Sequence, residues 1–201
     1  MPPLTIPIYF DYASTLCYVA WRIVSELEPE LGFQALWKGV PIALRDYRAK
    51  AGRTLGELER QKVLMVSAET GISVAPPAQW IDSSAALEGS EIARDAGVFR
   101  EYHDAIFHAA FEEGVDIADL QVLGSIAHNS GIDPARFRAA LQTHQMAPRL
   151  EEYRREADEF SALGYPTFIL GDYPLTGIQP IATMRQVLGR FIRQRQTEPQ
   201  A

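Results

Sequence analysis

Residues 9–18 of this chain read Tyr-Phe-Asp-Tyr-Ala-Ser-Thr-Leu-Cys-Tyr, and they join the end of a short apolar strand to the polar start of a helix. The first turn of a helix carries unpaired backbone N–H groups and a partial positive charge, which favour a thiolate or another anion placed against it. Ser14 and Cys17 lie in that turn, and their spacing puts both side chains on one face. We therefore predict a functional site at this junction, where one of the two side chains attacks or hydrogen-bonds a ligand and the other supports it.

The same two residues also have a purely structural interpretation. Ser14 would be an ordinary N-cap that accepts a hydrogen bond from the backbone of the first turn. Cys17 would be a small buried apolar residue. Taken alone, the motif favours this structural interpretation, so the functional one depends on further motifs.

The composition limits the classes of function. The chain has 201 residues, of which 47% are hydrophobic, enough for one well-buried core or for one domain with a large insertion. A formal net charge of −7 and the absence of a basic block argue against nucleic acid as a partner. No apolar run approaches the roughly 20 residues of a membrane span, and the N-terminus lacks the pattern of a secretory signal, so we expect a cytoplasmic protein with no membrane partner.

Cys17 is the single cysteine of the chain. An intrachain disulfide is therefore excluded, which fits a reducing compartment. Any redox chemistry has to pair Cys17 with an outside thiol such as glutathione, or has to use an outside thiol that Ser14 holds. Four histidines show no paired-ligand spacing, so we expect structural or solvent-exposed histidines and no metal.

The first fifty residues read as strand, helix, strand. Residues 4–10 are rich in strand formers, and Pro7 in this run suggests an edge position or an irregular start. A helix is predicted from about residue 15 to residue 27, ending near Pro29, and a second strand over residues 33–40.

Residues 50–160 have a helical pattern without a strong strand signal. The pattern predicts helices over 55–69, 92–111, 120–128, from Asp133-Pro134 onward and over 150–163, with Phe137, Leu141 and His144 on a buried face. The sheet then resumes over 164–170, turns at Gly171-Asp172 and continues over 173–176. A final helix follows residues 177–180, with Met184, Val187, Leu188 and Phe191 or Ile192 as its apolar stripe.

The junction and its two key residues resemble the DsbA family of thioredoxin-fold proteins, in which Cys-x-x-Cys opens the first helix. Ser14 stands in the place of the first cysteine. A serine in a Phe-Asp-Tyr-Ala-Ser context also resembles two glutathione-using groups, the 2-hydroxychromene-2-carboxylate isomerases and the kappa-class glutathione transferases. Residues 164–168, Gly-Tyr-Pro-Thr-Phe, resemble the cis-proline loop of the same superfamily, although on base rates alone Pro166 would be trans.

The resemblance covers essentially the whole chain and implies an α/β, thioredoxin-like fold with a large helical insertion. Residues 1–50 plus 161–201 would form the thioredoxin-like domain, and residues 51–160 the inserted all-helical subdomain. Residues 36–45, 111–117 and 176–180 further resemble the FrnE-like branch. The glutathione-using groups have Gly-x-Asp-Arg where this chain has residues 177–180, so neutral Gln179 replaces an aspartate that would hold the ammonium of a γ-glutamyl group.

The resemblance also implies the site residues. We assign Ser14 and Cys17 as catalytic, and assign as substrate-binding Tyr12, Tyr165, Pro166, Thr167, Gly177 and Gln179. Glutathione is the implied cofactor, and the expected partner is a small thiol or an extended peptide that pairs with the backbone of Tyr165. A homodimer is an open alternative.

Three functions follow. The first is a DsbA-like thiol-disulfide oxidoreductase with a Ser-x-x-Cys motif, in which the Cys17 thiolate forms a mixed disulfide with glutathione or a partner. The second is a glutathione-dependent isomerase or transferase, in which Ser14 hydrogen-bonds and stabilises the glutathione thiolate. The third is a redox-inactive thioredoxin-fold protein that binds extended peptides.

Overall fold

A four-stranded sheet and eight helices make up the part of the chain that the structure, a computed structural model, describes: residues 3–42, 47, 49–162 and 164–197. The strands are β1 (Leu4–Phe10), β2 (Phe33–Gly39), β3 (Thr167–Leu170) and β4 (Tyr173–Thr176). Their order is β2-β1-β3-β4, with β1 parallel to β2 and the other two pairings antiparallel. The α/β prediction is confirmed. Leu44 and Arg45 of the noted resemblance, and the predicted helix end at Leu163, lie outside the described residues.

Pro7 does not mark an edge strand, and that prediction is wrong. β1 lies between β2 and β3, in register with β2 along its whole length. The pairing with β3 begins only at Ile8, opposite Phe168, so the missing N–H of Pro7 interrupts no bond on that side. A central strand therefore accepts a proline because its second neighbour is short.

The predicted hairpin at Gly171-Asp172 is confirmed. It joins β3 to β4, and Gly171 has a φ of +69°, which glycine adopts without strain. β4 is one edge of the sheet, and its second residue is Pro174, opposite Ile169.

The first helix, α1 (Thr15–Leu31), extends beyond the predicted end at Pro29. A proline in the last turn removes one backbone hydrogen bond and does not by itself end the helix. The helix ends at Gly32, which is left-handed (φ +69°) and whose N–H donates to the carbonyl of Glu28.

The remaining helices follow the predicted helical block and the C-terminus. They are α2 (Glu57–Thr70), α3 (Ser84–Asp95), α4 (Phe99–Phe111), α5 (Leu120–Asn129), α6 (Pro134–Gln142), α7 (Ala147–Glu159) and α8 (Ile181–Thr197). Besides helices, the block contains one isolated bridge, between Thr54 and Gln79. The apolar stripe of α8 is confirmed by the burial of Met184, Leu188 and Ile192.

Two details of the block differ from the prediction. The single helix over 92–111 is two helices, because Gly97 has a φ of +78° and turns the chain between α3 and α4. His144 lies just beyond the end of α6, and its side chain is 76% exposed rather than buried. Apolar periodicity continues across both breaks, so it did not reveal them.

The hydrophobic core is continuous between the sheet and the helical block. One cluster of buried side chains includes Ile8 of β1, Trp37 of β2, Phe107 of α4, Phe137 of α6 and Leu188 of α8. The predicted division at residues 50 and 161 describes the order of elements along the chain. In space, both parts contribute to the same core.

Candidate functional site

The junction between β1 and α1 is built around the N-cap of the helix. Ser14 has extended backbone angles (φ −98°, ψ 117°), and its Oγ accepts a hydrogen bond from the N–H of Cys17 at 3.3 Å. The N–H of Ser14 donates to the carbonyl of Asp11 at 3.1 Å, which closes the turn after the strand. The structural part of the Ser14 interpretation is thus confirmed, and the hydroxyl is partly exposed at the positive end of the helix.

Cys17 is completely buried one turn into the helix. Its Sγ accepts a weak hydrogen bond from the N–H of Asp11 at 3.5 Å. Burial raises the pKa of the thiol to about 12, and this effect outweighs the hydrogen bonds from Ser14 and Asp11 that lower it. Burial and the raised pKa disfavour Cys17 as a catalytic thiolate, because a nucleophilic thiol has to be ionised and accessible to a disulfide. The catalytic role of Cys17 stays a prediction.

The second predicted motif lies directly against Ser14. The Tyr165–Pro166 peptide bond is cis, as the resemblance implied. The Ser14 hydroxyl donates to the carbonyl of Tyr165 at 3.3 Å, and the carbonyl of Pro166 accepts from the N–H of Gly177 at 2.7 Å. The structure thus brings together Ser14, Tyr165, Pro166 and Gly177, which are distant in the sequence.

Two of the other predicted binding residues lie in the interior. Tyr12 is fully buried, and its hydroxyl is 2.7 Å from Nδ1 of His103. Thr167 is fully buried, and its Oγ1 bonds the carbonyl of Gly164 and Oγ1 of Thr176. Both side chains are covered by the surrounding protein and hydrogen-bond neighbouring groups, and their substrate-binding roles stay predictions.

Gln179 is exposed in the segment between β4 and α8, two residues beyond Gly177. Gln179 therefore follows the residue, Gly177, whose N–H donates to the carbonyl of Pro166. Its neutral amide supplies no negative charge for an ammonium group on a ligand.

Sequence reasoning assigned no role to Asp11, which the structure places at the centre of the junction. Its buried carboxylate accepts hydrogen bonds from the N–H of Ala13, the hydroxyl of Ser83 and the N–H of Ile42. Burial raises the pKa of Asp11, although these hydrogen bonds act in the opposite direction. Asp11 also lines a cleft of about 420 Å³, together with Tyr47. The sequence signal was a single acidic residue between a buried strand and a helix N-cap.

His103 supports the site from inside the core. Its ring is fully buried among aromatic side chains, including a contact with Phe10 at 4.7 Å between ring centroids. Its Nδ1 bonds Tyr12, and its Nε2 has no partner among the described residues. Burial, with a smaller effect of Arg94 and Arg100, holds the pKa of His103 well below its usual value. The prediction of a structural histidine is confirmed here.

The described residues contain no group of three or more histidine, cysteine, aspartate or glutamate side chains arranged to hold a metal ion. Within the same residues, no helix combines the length and hydrophobicity that a membrane crossing requires. The Ser14 hydroxyl lies at the N-terminus of α1, where unpaired N–H groups and a partial positive charge favour an anion.

Comparisons with known proteins agree with this geometry. The sequence model of the DSBA-like thioredoxin domain matches residues 5–189. The uncharacterized protein YwbO of Bacillus subtilis (strain 168) is 25% identical over 182 residues, which cover 86% of this chain and 89% of YwbO. A 2-hydroxychromene-2-carboxylate isomerase has a similar structure (TM-score 0.74, 22% identity, 96% of this chain and 98% of that chain). The cytosolic disulfide reductase DsbM from Pseudomonas aeruginosa with GSH also has a similar structure (TM-score 0.72, 19% identity, covering 94% of this chain and 100% of that chain). The thioredoxin-like fold is confirmed.

Proposed function

The chain belongs to the DSBA-like thioredoxin domain family, and on that premise we propose that it is a glutathione-dependent isomerase or transferase in which Ser14 binds the sulfur of glutathione. The observation that carries this proposal is the contrast between two side chains of one helical turn. Ser14 is partly exposed at the helix N-terminus, whereas the Cys17 thiol is buried and protonated. The hydroxyl is thus available to a ligand and the thiol is not.

Ser14 has a hydrogen bond that a ligand can replace. Its O–H···O distance to Tyr165 is 3.3 Å, longer than the roughly 2.7–2.8 Å typical of hydroxyl donors. Rotation of the hydroxyl would transfer this donor from the carbonyl to a thiolate. A hydrogen bond to the charged form, together with the helix N-terminus, lowers the pKa of a bound thiol.

The proposed chemistry consumes no oxidant or reductant when the reaction is an isomerisation. The bound thiol loses its proton to solvent, and the thiolate adds to an electrophilic carbon of the substrate. Elimination from the adduct breaks the carbon–sulfur bond and returns the thiolate. In a transferase reaction the carbon–sulfur bond would instead persist in the product.

The relatives support this class without deciding the substrate. One structural neighbour is an isomerase and another is a disulfide reductase described with GSH. A cytoplasmic setting is part of the proposal, supported by the single cysteine and by the cytosolic neighbour. The oxidoreductase alternative with Cys17 as nucleophile is disfavoured by the burial of its thiol.

The test is a calorimetric titration of the reduced protein with millimolar glutathione at neutral pH. We expect saturable binding that Ser14→Ala weakens about tenfold, because a charge-assisted hydrogen bond is lost. Asp133→Ala is the matched control. Asp133 caps α6 by accepting hydrogen bonds from the N–H groups of Ala135 and Arg136. This variant therefore loses a helix cap with a similar contribution to stability, away from the site.

S-methylglutathione, which cannot form a thiolate, should bind the parent protein and Ser14→Ala about equally. If glutathione binds Ser14→Ala as tightly as the parent, the proposed role of Ser14 is wrong. Absence of glutathione binding, with binding of an extended peptide instead, would replace the proposal by the peptide-binding function.

A further inference from the structure

A second cavity lies within the helical block, between α3, α5 and α6. Its volume is about 570 Å³, within the roughly 300–1,000 Å³ range of small-molecule sites. Neither Ser14 nor Tyr165 lines it, although Asp82 and Ser84 line both this cavity and the cleft beside Asp11. The apolar part of its wall includes Ala85, Leu120, Pro134, Phe137 and Leu141.

One carboxylate in this wall is incompletely paired. The Glu88 residue is only 7% exposed, and its Oε1 is hydrogen-bonded to Nδ1 of His144 at 2.8 Å. Oε2 of the same carboxylate is buried and has no hydrogen-bond partner among the described residues. Buried carboxylate oxygens are normally hydrogen-bonded, since loss of water without a replacement partner is costly. The cavity thus combines an apolar surface with a carboxylate whose unused acceptor, Oε2, is covered in this conformation.

We propose that this cavity binds a small molecule with an apolar body and a primary amino group, whose ammonium pairs with the carboxylate of Glu88 after this side chain turns Oε2 toward the cavity. The apolar body would pack against the apolar part of the wall, in which the side chain of Leu120 is exposed. A cationic donor both completes the hydrogen bonding of the carboxylate and compensates its charge. This site does not depend on the function proposed for Ser14.

Arg138 also lines the cavity and would favour an anionic ligand instead. Its side chain, however, is exposed to solvent. Water screens an exposed charge, whereas a buried carboxylate interacts with a ligand in a medium of lower effective dielectric. The buried acidic group therefore decides the class of ligand, and amines are preferred over carboxylates.

Gly124 of α5 provides a way to close the cavity without disturbing its wall. It lines the cavity, and a Cβ built on it meets no atom within 4 Å. A larger side chain at this position would extend into open space. Replacing a helical glycine also increases helix propensity, so the variant is expected to fold.

The experiment compares two probes of similar size, 2-phenylethylamine and 3-phenylpropionate, in calorimetric titrations of the full chain at neutral pH. We expect saturable binding of the amine at least about tenfold tighter than that of the carboxylate. Glu88→Gln keeps the shape of the side chain and should weaken binding of the amine at least about tenfold. Glu101→Gln, an exposed change of the same chemistry on α4, should leave binding unchanged. Gly124→Leu should abolish binding by filling the cavity.

Several results would overturn the proposal. These are no saturable binding of the amine, equal or tighter binding of 3-phenylpropionate, or unchanged amine affinity in either Glu88→Gln or Gly124→Leu. Retention of glutathione binding in Gly124→Leu would show that the two sites are separate, so failure of one proposal does not imply failure of the other.

Discussion

At the start of α1, the Ser14 hydroxyl is partly exposed and the Cys17 thiol is inaccessible, although the two residues share one helical turn. A thiolate needs either water or strong local donors, and the donors near Cys17, the Ser14 hydroxyl and the N–H of Asp11 at 3.5 Å, do not offset its burial. Of these two side chains, the hydroxyl is therefore the one that a ligand can contact at this turn.

Cys17 should be almost inert in the native protein. With a pKa of about 12, roughly one thiol in ten thousand is ionised at about pH 8. Alkylation by iodoacetamide, followed by mass spectrometry, should be at least about a hundredfold slower than in urea-unfolded protein. Comparable rates in the two states would show that the thiol is accessible and would reopen the mixed-disulfide mechanism.

His103 should make stability depend on pH. Its pKa is lowered in the folded state, so below about pH 6.5 the unfolded chain takes up a proton that the native protein excludes. The contribution to stability is complete above that pH, and the free energy of unfolding falls as pH decreases, by at most about 1.4 kcal/mol per pH unit.

The measurement is urea unfolding at about pH 7.5 and about pH 5.5 for the parent and His103→Gln. Glutamine does not titrate and keeps a polar partner for Tyr12. The loss of stability between the two pH values should be smaller in the variant, and equal losses would rule out His103 as its source.

Much of the site could be predicted from residue types. Ser14 was identified from its place between an apolar strand and a helix, and Tyr165 and Pro166 from the motif around them. The burial of Tyr12 and Thr167 could not be predicted, and for Cys17 the sequence left a catalytic and a buried structural position open. Burial depends on which distant elements cover a side chain, and local spacing carries no information about that.

At the scale of elements, helix ends depend on single backbone conformations. Gly32 ends α1 and Gly97 separates α3 from α4, each with a positive φ. Strand and hairpin positions were predictable because apolar runs and the Gly171-Asp172 turn are local signals. The break at Gly97 was not predictable, because a glycine inside an apolar helical pattern is also compatible with an unbroken helix.

Two glycine substitutions should therefore have effects of opposite sign on stability. Gly97→Ala should lower the free energy of unfolding by about 1 kcal/mol, because alanine is strained at a φ of +78°. Gly124→Ala should raise it by about 0.5–1 kcal/mol, because Gly124 lies within a regular helix. Chemical denaturation of both variants measures the difference, and a shift of the same sign in both would contradict the backbone explanation.

At the scale of the whole molecule, the helical block is joined to the sheet and α1 by side-chain hydrogen bonds and by the core. Nε1 of Trp21 in α1 donates to Asp104 in α4 at 2.7 Å, and Ser83, just before α3, donates to Asp11 after β1. With the continuous core, these contacts couple the stability of the two parts. The order of elements along the sequence predicted an insertion. The shared core depends on contacts between residues distant in the sequence, which the sequence pattern alone does not reveal.

We expect a single cooperative unfolding transition. Of the three tryptophans, Trp37 lies in β2 and Trp21 in α1, so fluorescence reports largely on the region of the sheet, whereas far-ultraviolet circular dichroism reports mainly on the helices. The two signals should give the same denaturation midpoint. Separate midpoints would show that the block at residues 51–160 unfolds as an independent domain.

The short outer strand β4 has a consequence for self-association. Open sheet edges can recruit a strand from another molecule, because they present unpaired backbone donors and acceptors. In β4, four residues long, Pro174 supplies no backbone donor. Strand addition along this edge is thereby discouraged, which leaves the opposite edge at β2 and the helices as surfaces for any dimer of this chain.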